Sequence, residues 1–142
     1  MTTVDVLTHV PLFAGLDARA IEALAGFTFR KTFEPGEAIV EEGRTGNGLF
    51  IIVSGSAAVI KGSQTAQPRT VAELGAGEPI GEMALLGEWP RSATVRALEP
   101  TECIGIDRWI FLDHLDKEPR LALRMLQILA LRLAETAERL AE

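Results

Sequence analysis

Apolar positions change their spacing twice along the chain. Near the start, Pro11-Leu12-Phe13-Ala14-Gly15-Leu16 reads as a turn. Asp17 follows as an N-cap, and Ile21, Leu24 and Ala25 come at helical spacing, so a helix is predicted that ends near Gly26. From Thr28 onward the pattern becomes short apolar runs divided by glycine and polar turns. Phe33-Glu34-Pro35-Gly36-Glu37 holds a Pro-Gly turn, residues 38–40 form a short strand, and residues 42–48 form a loop. Residues 49–53 are an apolar run of strand length closed by Ser54-Gly55, and 57–61 is expected as its hairpin partner. Residues 62–68 are polar and turn-rich, and 70–74, 93–97 and 102–106 are further strands. Strands this dense, with no helices between most of them, predict an antiparallel sandwich or barrel rather than βαβ units.

The spacing turns helical again after Asp107, which caps a helix carrying Trp109, Leu112 and Leu115. A second helix begins near Asp116–Pro119, where a proline in the first turn is tolerated, and runs to the end. Ala122, Met125, Leu126, Leu129, Leu133, Ala137 and Leu140 give it a stripe. Residues 121–133 are apolar almost all round, so one-sided burial does not satisfy them and a second surface is required. Leu126, Leu129, Leu133, Thr136 and Leu140 also step by threes and fours. That seam packs either on the domain's own strands or on a second copy or effector domain. The chain has no internal repeat.

Composition narrows the function classes. At 142 residues this is one domain, and 47% hydrophobic with 24% charged residues excludes disorder, collagen and a lone coiled coil. A net charge of −6 argues against DNA or RNA as a partner of its surface. It leaves room for one small anion in a local basic pocket. Cys103 stands alone, so no internal disulfide or CxxC site exists, and His9 and His114 are too far apart in sequence for a histidine-built metal centre. The N-terminus lacks a basic segment and an apolar signal core. No apolar run reaches the roughly 18–20 residues of a membrane span. A cytoplasmic domain without membrane contact of its own is expected, or a cytoplasmic-facing one if it is part of a larger membrane protein.

The stretch with chemical content is Gly77-Glu78-Pro79-Ile80-Gly81-Glu82-Met83-Ala84-Leu85-Leu86-Gly87-Glu88-Trp89-Pro90-Arg91-Ser92-Ala93-Thr94. Gly81 lets the chain enter one short helical turn, whose opening amides lack intrahelical partners and suit an anion. Pro90-Arg91-Ser92 delivers a guanidinium and a hydroxyl just before a strand, and Arg forks onto phosphate oxygens. Glu82 would repel a phosphate it touched, and fits better as an acceptor for a sugar hydroxyl. On spacing alone, Glu82 pairing with Arg91 and no ligand is the competing arrangement.

The motifs resemble those of the cyclic nucleotide-binding domain, the module of cAMP-dependent kinase regulatory subunits, cyclic nucleotide-gated channels and catabolite activator-type regulators. The resemblance spans nearly the whole chain. Pro11-Leu12-Phe13 with Gly15-Leu16, Phe33 with Pro35-Gly36-Glu37, Ile39 with Glu42-Gly43, and Gly46-Asn47-Gly48-Leu49-Phe50-Ile51-Ile52-Val53-Ser54-Gly55 carry its first half. Gly81-Glu82-Met83-Ala84-Leu85-Leu86 with Pro90-Arg91-Ser92-Ala93-Thr94 carries its phosphate-binding cassette, the most specific part. The resemblance implies a mainly β fold: an antiparallel, jelly-roll-like β-roll at 28–107, with the cassette at 81–94. Helical segments at 1–27 and 108–142 would flank the roll in a single domain. It implies no catalysis and no cofactor, only a cyclic mononucleotide ligand. Arg91 would hold the exocyclic phosphate oxygens with help from Ser92 and the amides of Ala84 and Ala93, Glu82 would take the ribose 2′-hydroxyl, and the Gly81 and Met83 backbone would lie close by.

Three departures modify that expectation. Pro79 stands where the family often has a large residue. No helix-turn-helix follows the last helix, in keeping with the acidic charge. No aromatic follows Phe111, which leaves Val71, Leu74, Arg124 and Arg132 as candidate base contacts. Ser92 stands where alanine accompanies cAMP preference and threonine accompanies cGMP preference, so its hydroxyl serves either nucleotide, and cAMP is favoured. The alternatives are an interaction module of the same fold without ligand, and a cupin-like metalloenzyme, for which two distant histidines do not suffice.

Overall fold

Thr2 opens the first helix, α1 (Thr3–Thr8). Its hydroxyl accepts the Asp5 amide at 3.2 Å, and the Asp5 carboxylate accepts the Thr2 amide at 3.0 Å. This computed structural model describes residues 2–141. Pro11–Phe13 forms a 3-10 turn, and α2 (Ala18–Ala25) follows, capped by Asp17, whose carboxylate accepts the Ala20 amide at 2.9 Å. Eight strands come next: β1 (Phe29–Phe33), β2 (Ala38–Val40), β3 (Gly48–Ser54), β4 (Ala57–Lys61), β5 (Arg69–Leu74), β6 (Pro79–Ile80), β7 (Thr94–Ala97) and β8 (Thr101–Asp107). A second 3-10 turn, Glu82–Leu85, sits between β6 and β7. The chain closes with α3 (Arg108–Lys117) and α4 (Pro119–Ala141).

The strands form two antiparallel four-stranded sheets, ordered β1-β8-β3-β6 and β2-β7-β4-β5. Together with the flanking helices they make the expected β-roll. One expected pairing is corrected. β3 and β4 are not hairpin partners: β3 pairs with β8 and β6, whereas β4 pairs with β5 and β7 in the other sheet. The reason lies in the two-residue period of β3. Leu49 and Ile51 belong to a core shared with the helices, while Phe50 and Ile52 belong to a core between the sheets. A strand apolar on both faces is central to its layer, and Ser54-Gly55 is the corner at which the chain leaves that layer. Gly55 holds φ at +97° against Pro100 and Thr101, where a β-carbon would overlap its neighbours.

The two cores divide the work. Leu7, Leu12, Phe13, Leu24, Leu85, Ile104, Phe111 and Met125 join helices to sheet, and Phe33, Ile39, Ile52, Ala57, Val95 and Cys103 fill the space between sheets. Phe13 and Phe111 meet with ring centroids 6.1 Å apart, tying the N-terminal turn to α3. Pro79 pairs only with Ile51, on the edge strand β6, where the missing N–H leaves no ladder bond unmade.

The C-terminal helices depart from the expected faces. Asp107 caps α3 as expected, accepting the amides of Trp109 and Ile110 at 2.9 and 3.2 Å. Yet Trp109 is 60% exposed, and the buried members are Arg108 and Phe111. In α4 only Leu121 and Met125 are buried, and Leu129 packs partly against the core. Leu123, Leu126, Leu131, Leu133 and Leu140 are exposed. Among the described residues no helix is long and apolar enough to cross a membrane.

Cys103 sits between Lys31 and Ile52 in the register of β8, fully buried. Burial, with help from the Glu102 carboxylate, pushes its thiol up to about 11. The folded state therefore keeps its proton in a range where the unfolded chain has lost it, so stability falls as pH rises from about 9 towards 11. We expect native protein at pH 8 to resist a maleimide that labels it promptly in denaturant. Labelling at equal rates in both conditions would show that the thiol is not enclosed.

Candidate functional site

The turn after β6 is built around one glycine. Gly81 adopts φ +73°, ψ +41°, the left-handed region, and starts the 3-10 turn Glu82–Leu85. Leu85 anchors the turn in the helix-side core, and Ala84 is buried beside it. The Ala84 amide donates to the Gly81 carbonyl at 3.0 Å, so that amide is engaged within the turn, and Met83 is exposed.

Arg91 reaches back to this turn from the segment before β7. Its guanidinium donates to the Gly48 carbonyl at 2.8 Å and approaches the Gly81 carbonyl at 3.4 Å. A β-carbon at Gly46 or at Gly81 would overlap the guanidinium, so both positions need glycine for close approach as well as for turning. The backbone of Arg91 is pinned too. Its amide donates to the Arg44 carbonyl at 2.8 Å, and its carbonyl accepts the Gly43 amide at 2.9 Å. Arg91 is half-buried, and burial lowers its affinity for its own proton below the usual value. Among the described residues no carboxylate forms an ion pair with it.

Arg91 lines a cavity of about 210 Å³ together with Gly81, Ser92 and Ala93, and with the apolar side chains of Val40, Val59, Leu74, Pro79, Ile80 and Val95. The structure thus brings together five of the residues singled out from the sequence: Gly81, Arg91, Ser92, Ala93 and Leu74. Val40, Val59 and Val95 were not singled out. Their signal was the apolar alternation of β2, β4 and β7, which does not say which core-facing residue borders a hollow. Val71 is exposed on β5 and does not line the cavity.

Glu82 lies elsewhere. One carboxylate oxygen accepts the Leu12 amide at 3.1 Å, and the other faces Arg132 of α4 at 3.3 Å. The pairing with Arg91 that spacing alone allowed does not occur. Arg132 is therefore held by the turn, and Arg124 donates to the Gly15 carbonyl at 3.2 Å and to Gln127 at 3.3 Å. Sequence reading missed the Leu12 amide altogether, since nothing in the residues near Pro11 marks them as neighbours of residue 82. A larger cavity of about 600 Å³ lies between α2 and the start of α4, lined by Leu16, Ala20, Leu121 and Arg120 among others, and contains none of the turn's residues.

The small cavity combines a half-buried cation, the Ser92 residue and apolar walls. Among the described residues the cation has no carboxylate partner. A lone guanidinium on backbone carbonyls fits a group with one negative charge.

Comparison with known proteins shows the family. The family model described as the cyclic nucleotide-binding domain matches residues 30–118, well over half of the chain. The chain is 34% identical over 125 residues to the cyclic AMP receptor protein of Thermus thermophilus, covering 88% of this chain and 58% of that protein. It is 39% identical over 102 residues to a cGMP-dependent protein kinase of Eimeria tenella, covering 72% of this chain and 10% of the kinase. The crystal structure of the N-terminal domain of a transcriptional regulator from Streptomyces coelicolor superposes with a TM-score of 0.85 at 28% identity, covering 96% of this chain and 95% of that one. The chain thus spans less than two thirds of the length of these two curated relatives.

Gly81→Ala should destabilise the fold by about 1–2 kcal/mol, the cost of a left-handed alanine, plus the cost of displacing Arg91. Urea unfolding of Gly81→Ala in wild-type and Arg91→Ala backgrounds separates the two parts. The substitution should cost less where Arg91 is already gone, and equal costs would remove close approach as a reason for the glycine.

Proposed function

The chain belongs to the cyclic nucleotide-binding domain family, and on that premise we propose that it is a regulatory sensor of a cyclic mononucleotide. It does no chemistry on the ligand and passes its occupancy on through the C-terminal helices. The observation that carries this reading is Arg91: a half-buried guanidinium on two backbone carbonyls, facing a cavity, with no carboxylate partner among the described residues. Desolvating a cation without a counter-ion is costly, and an anionic ligand removes the cost. No second cation lines the cavity, which suits the single charge of a cyclic phosphodiester better than a di- or triphosphate. The net charge of −6 gives this chain no electrostatic footprint for nucleic acid. The relatives' names include both cyclic AMP and cGMP, and Ser92 serves either; cAMP is the first ligand to test.

The cavity also says how much ligand it holds. At about 210 Å³ it falls below the roughly 300–1,000 Å³ usual for small-molecule sites. It takes the phosphate and part of the ribose, and the base needs a further wall. Glu82 links that need to α4. A ribose hydroxyl donating to Glu82 competes with Arg132 for the same carboxylate. The ion pair is partly exposed and worth about 0–1 kcal/mol, within reach of a coupling of typically 1–3 kcal/mol. Ligand binding therefore removes one of the contacts that hold α4, beside Arg124 on Gly15 and the buried Leu121 and Met125, and favours its repacking, with Leu126 and Leu133 exposed on the face available to an effector or a second copy.

Arg91→Ala should weaken cAMP binding tenfold or more, since charge-assisted hydrogen bonds are worth about 1.5–3 kcal/mol each. Isothermal calorimetry with cAMP and cGMP decides this, and unchanged affinity for both would refute the assignment. A wild-type chain that binds neither is an interaction module instead.

Helix transmission is tested with spin labels at Gln64→Cys and Glu138→Cys. Their distance distribution should shift on adding saturating cAMP, and should shift part of the way in ligand-free Arg132→Ala. A distribution indifferent to both would end the coupling argument.

A further inference from the structure

We propose that Arg108, the first residue of α3, is a positioning residue for Arg91: it clamps from behind the two loops that frame the anion site. The inference extends the reading of the site above and rests on it. Arg108 is only 2% exposed. Its guanidinium donates to the Gly46 carbonyl and the Gly87 carbonyl, both at 3.2 Å, and to the Glu88 carboxylate at 2.8 Å. Its backbone amide donates to the Asn47 carbonyl at 2.8 Å. Gly46 and Asn47 belong to the loop before β3, whereas Gly87 and Glu88 belong to the loop that follows the 3-10 turn.

These two loops determine where Arg91 sits. They are joined to each other by an isolated bridge between Thr45 and Pro90, by the Arg91 amide on Arg44, and by the Gly43 amide on the Arg91 carbonyl. The first loop supplies the Gly46 backbone against which the Arg91 guanidinium packs, and leads into Gly48, the first residue of β3, whose carbonyl the guanidinium holds. A buried guanidinium is costly and is retained where its fork does something a smaller group cannot. Here one nitrogen, Nη1, donates to carbonyls from two separate loops, while Nη2 reaches Glu88. Glu88 is largely exposed, so its ion pair contributes little, and the carbonyl bonds are the ones that hold the loops. Lysine keeps the charge, but its side chain ends one bond short of Nη1 and has no second nitrogen for Glu88, so a role in positioning and a role in attracting anions at long range give opposite results.

The test compares wild type, Arg108→Lys and Glu88→Gln, with cAMP affinity from calorimetry and amide hydrogen exchange from NMR. Arg108→Lys should weaken cAMP binding by about tenfold. It should also speed exchange at Gly43 and Arg91 while Ile51 and Ile104 in the central strands stay protected. Glu88→Gln should stay near wild type on both readouts. Arg108→Lys with wild-type affinity and exchange would overturn the proposal, as would exchange that rises equally throughout the sheets. Exchange needs no ligand, so a wild-type chain that fails to bind cAMP refutes the reading of the site while the loop clamp is still decided. Should Arg108→Lys not fold, exchange in the ligand-free wild type supplies the answer: the Gly43 and Arg91 amides should exchange at the rate of the Arg108 amide, which donates to Asn47. Gly43 and Arg91 amides that exchange far faster than that of Arg108 would overturn the proposal.

Discussion

A half-buried cation with no carboxylate partner among the described residues is the constraint around which the loops of the site are arranged. Arg91 gives up part of its hydration for two carbonyl contacts, which do not neutralise it. Everything nearby serves that placement. Gly46 and Gly81 lack side chains because the guanidinium occupies the space. The segment before β7 is stitched to the loop before β3 so that the residue cannot swing out to solvent. An acidic chain thereby acquires one local positive site, and global charge and local chemistry point to different partners without contradiction.

The same turn ties the two helical ends to the roll. Through Glu82 it touches the 3-10 turn at Leu12 and helix α4 at Arg132, and through Leu85 it enters the core that contains Phe13 and Phe111. Hence the residue expected to read the sugar is also the residue that holds the last helix. Such double employment is what a sensor requires, because a ligand shifts an equilibrium only by contacting its two states differently.

Local features of the fold were legible in the residues, and non-local ones were not. Asp17 and Asp107 announce their helices because capping is settled within three residues. Strands β2 and β4 lie where their apolar runs place them. Helix α1 went unread because six residues hold too few apolar positions to display a period, although its Thr2 and Asp5 box was there to see. The pairing of β3 was misread for a different reason. Two adjacent apolar runs with a Ser-Gly between them suit a hairpin and a sheet-to-sheet corner equally well, and the choice depends on β8, which lies some fifty residues downstream. Trp109 and Arg108 reverse the usual rule of burial, because acceptors from two distant loops converge on the arginine.

The site divides along the same line. Gly81, Arg91, Ser92 and Ala93 were found together because a short motif places them together, and their chemistry was readable from residue type. Glu82 was readable as a free carboxylate but not in its direction, which is decided by a helix fifty residues away. A motif identifies the groups that can touch a ligand; it does not describe what those groups hold when the ligand is gone. In this chain Glu82 holds the Leu12 amide and Arg132 of α4, while Arg91, among the described residues, has only carbonyl partners. The contacts on Glu82 and the missing contact on Arg91 are complementary. On the function proposed above, one anion would supply what Arg91 lacks and the sugar attached to it would compete for what Glu82 already has, which would join binding and release through a single short turn.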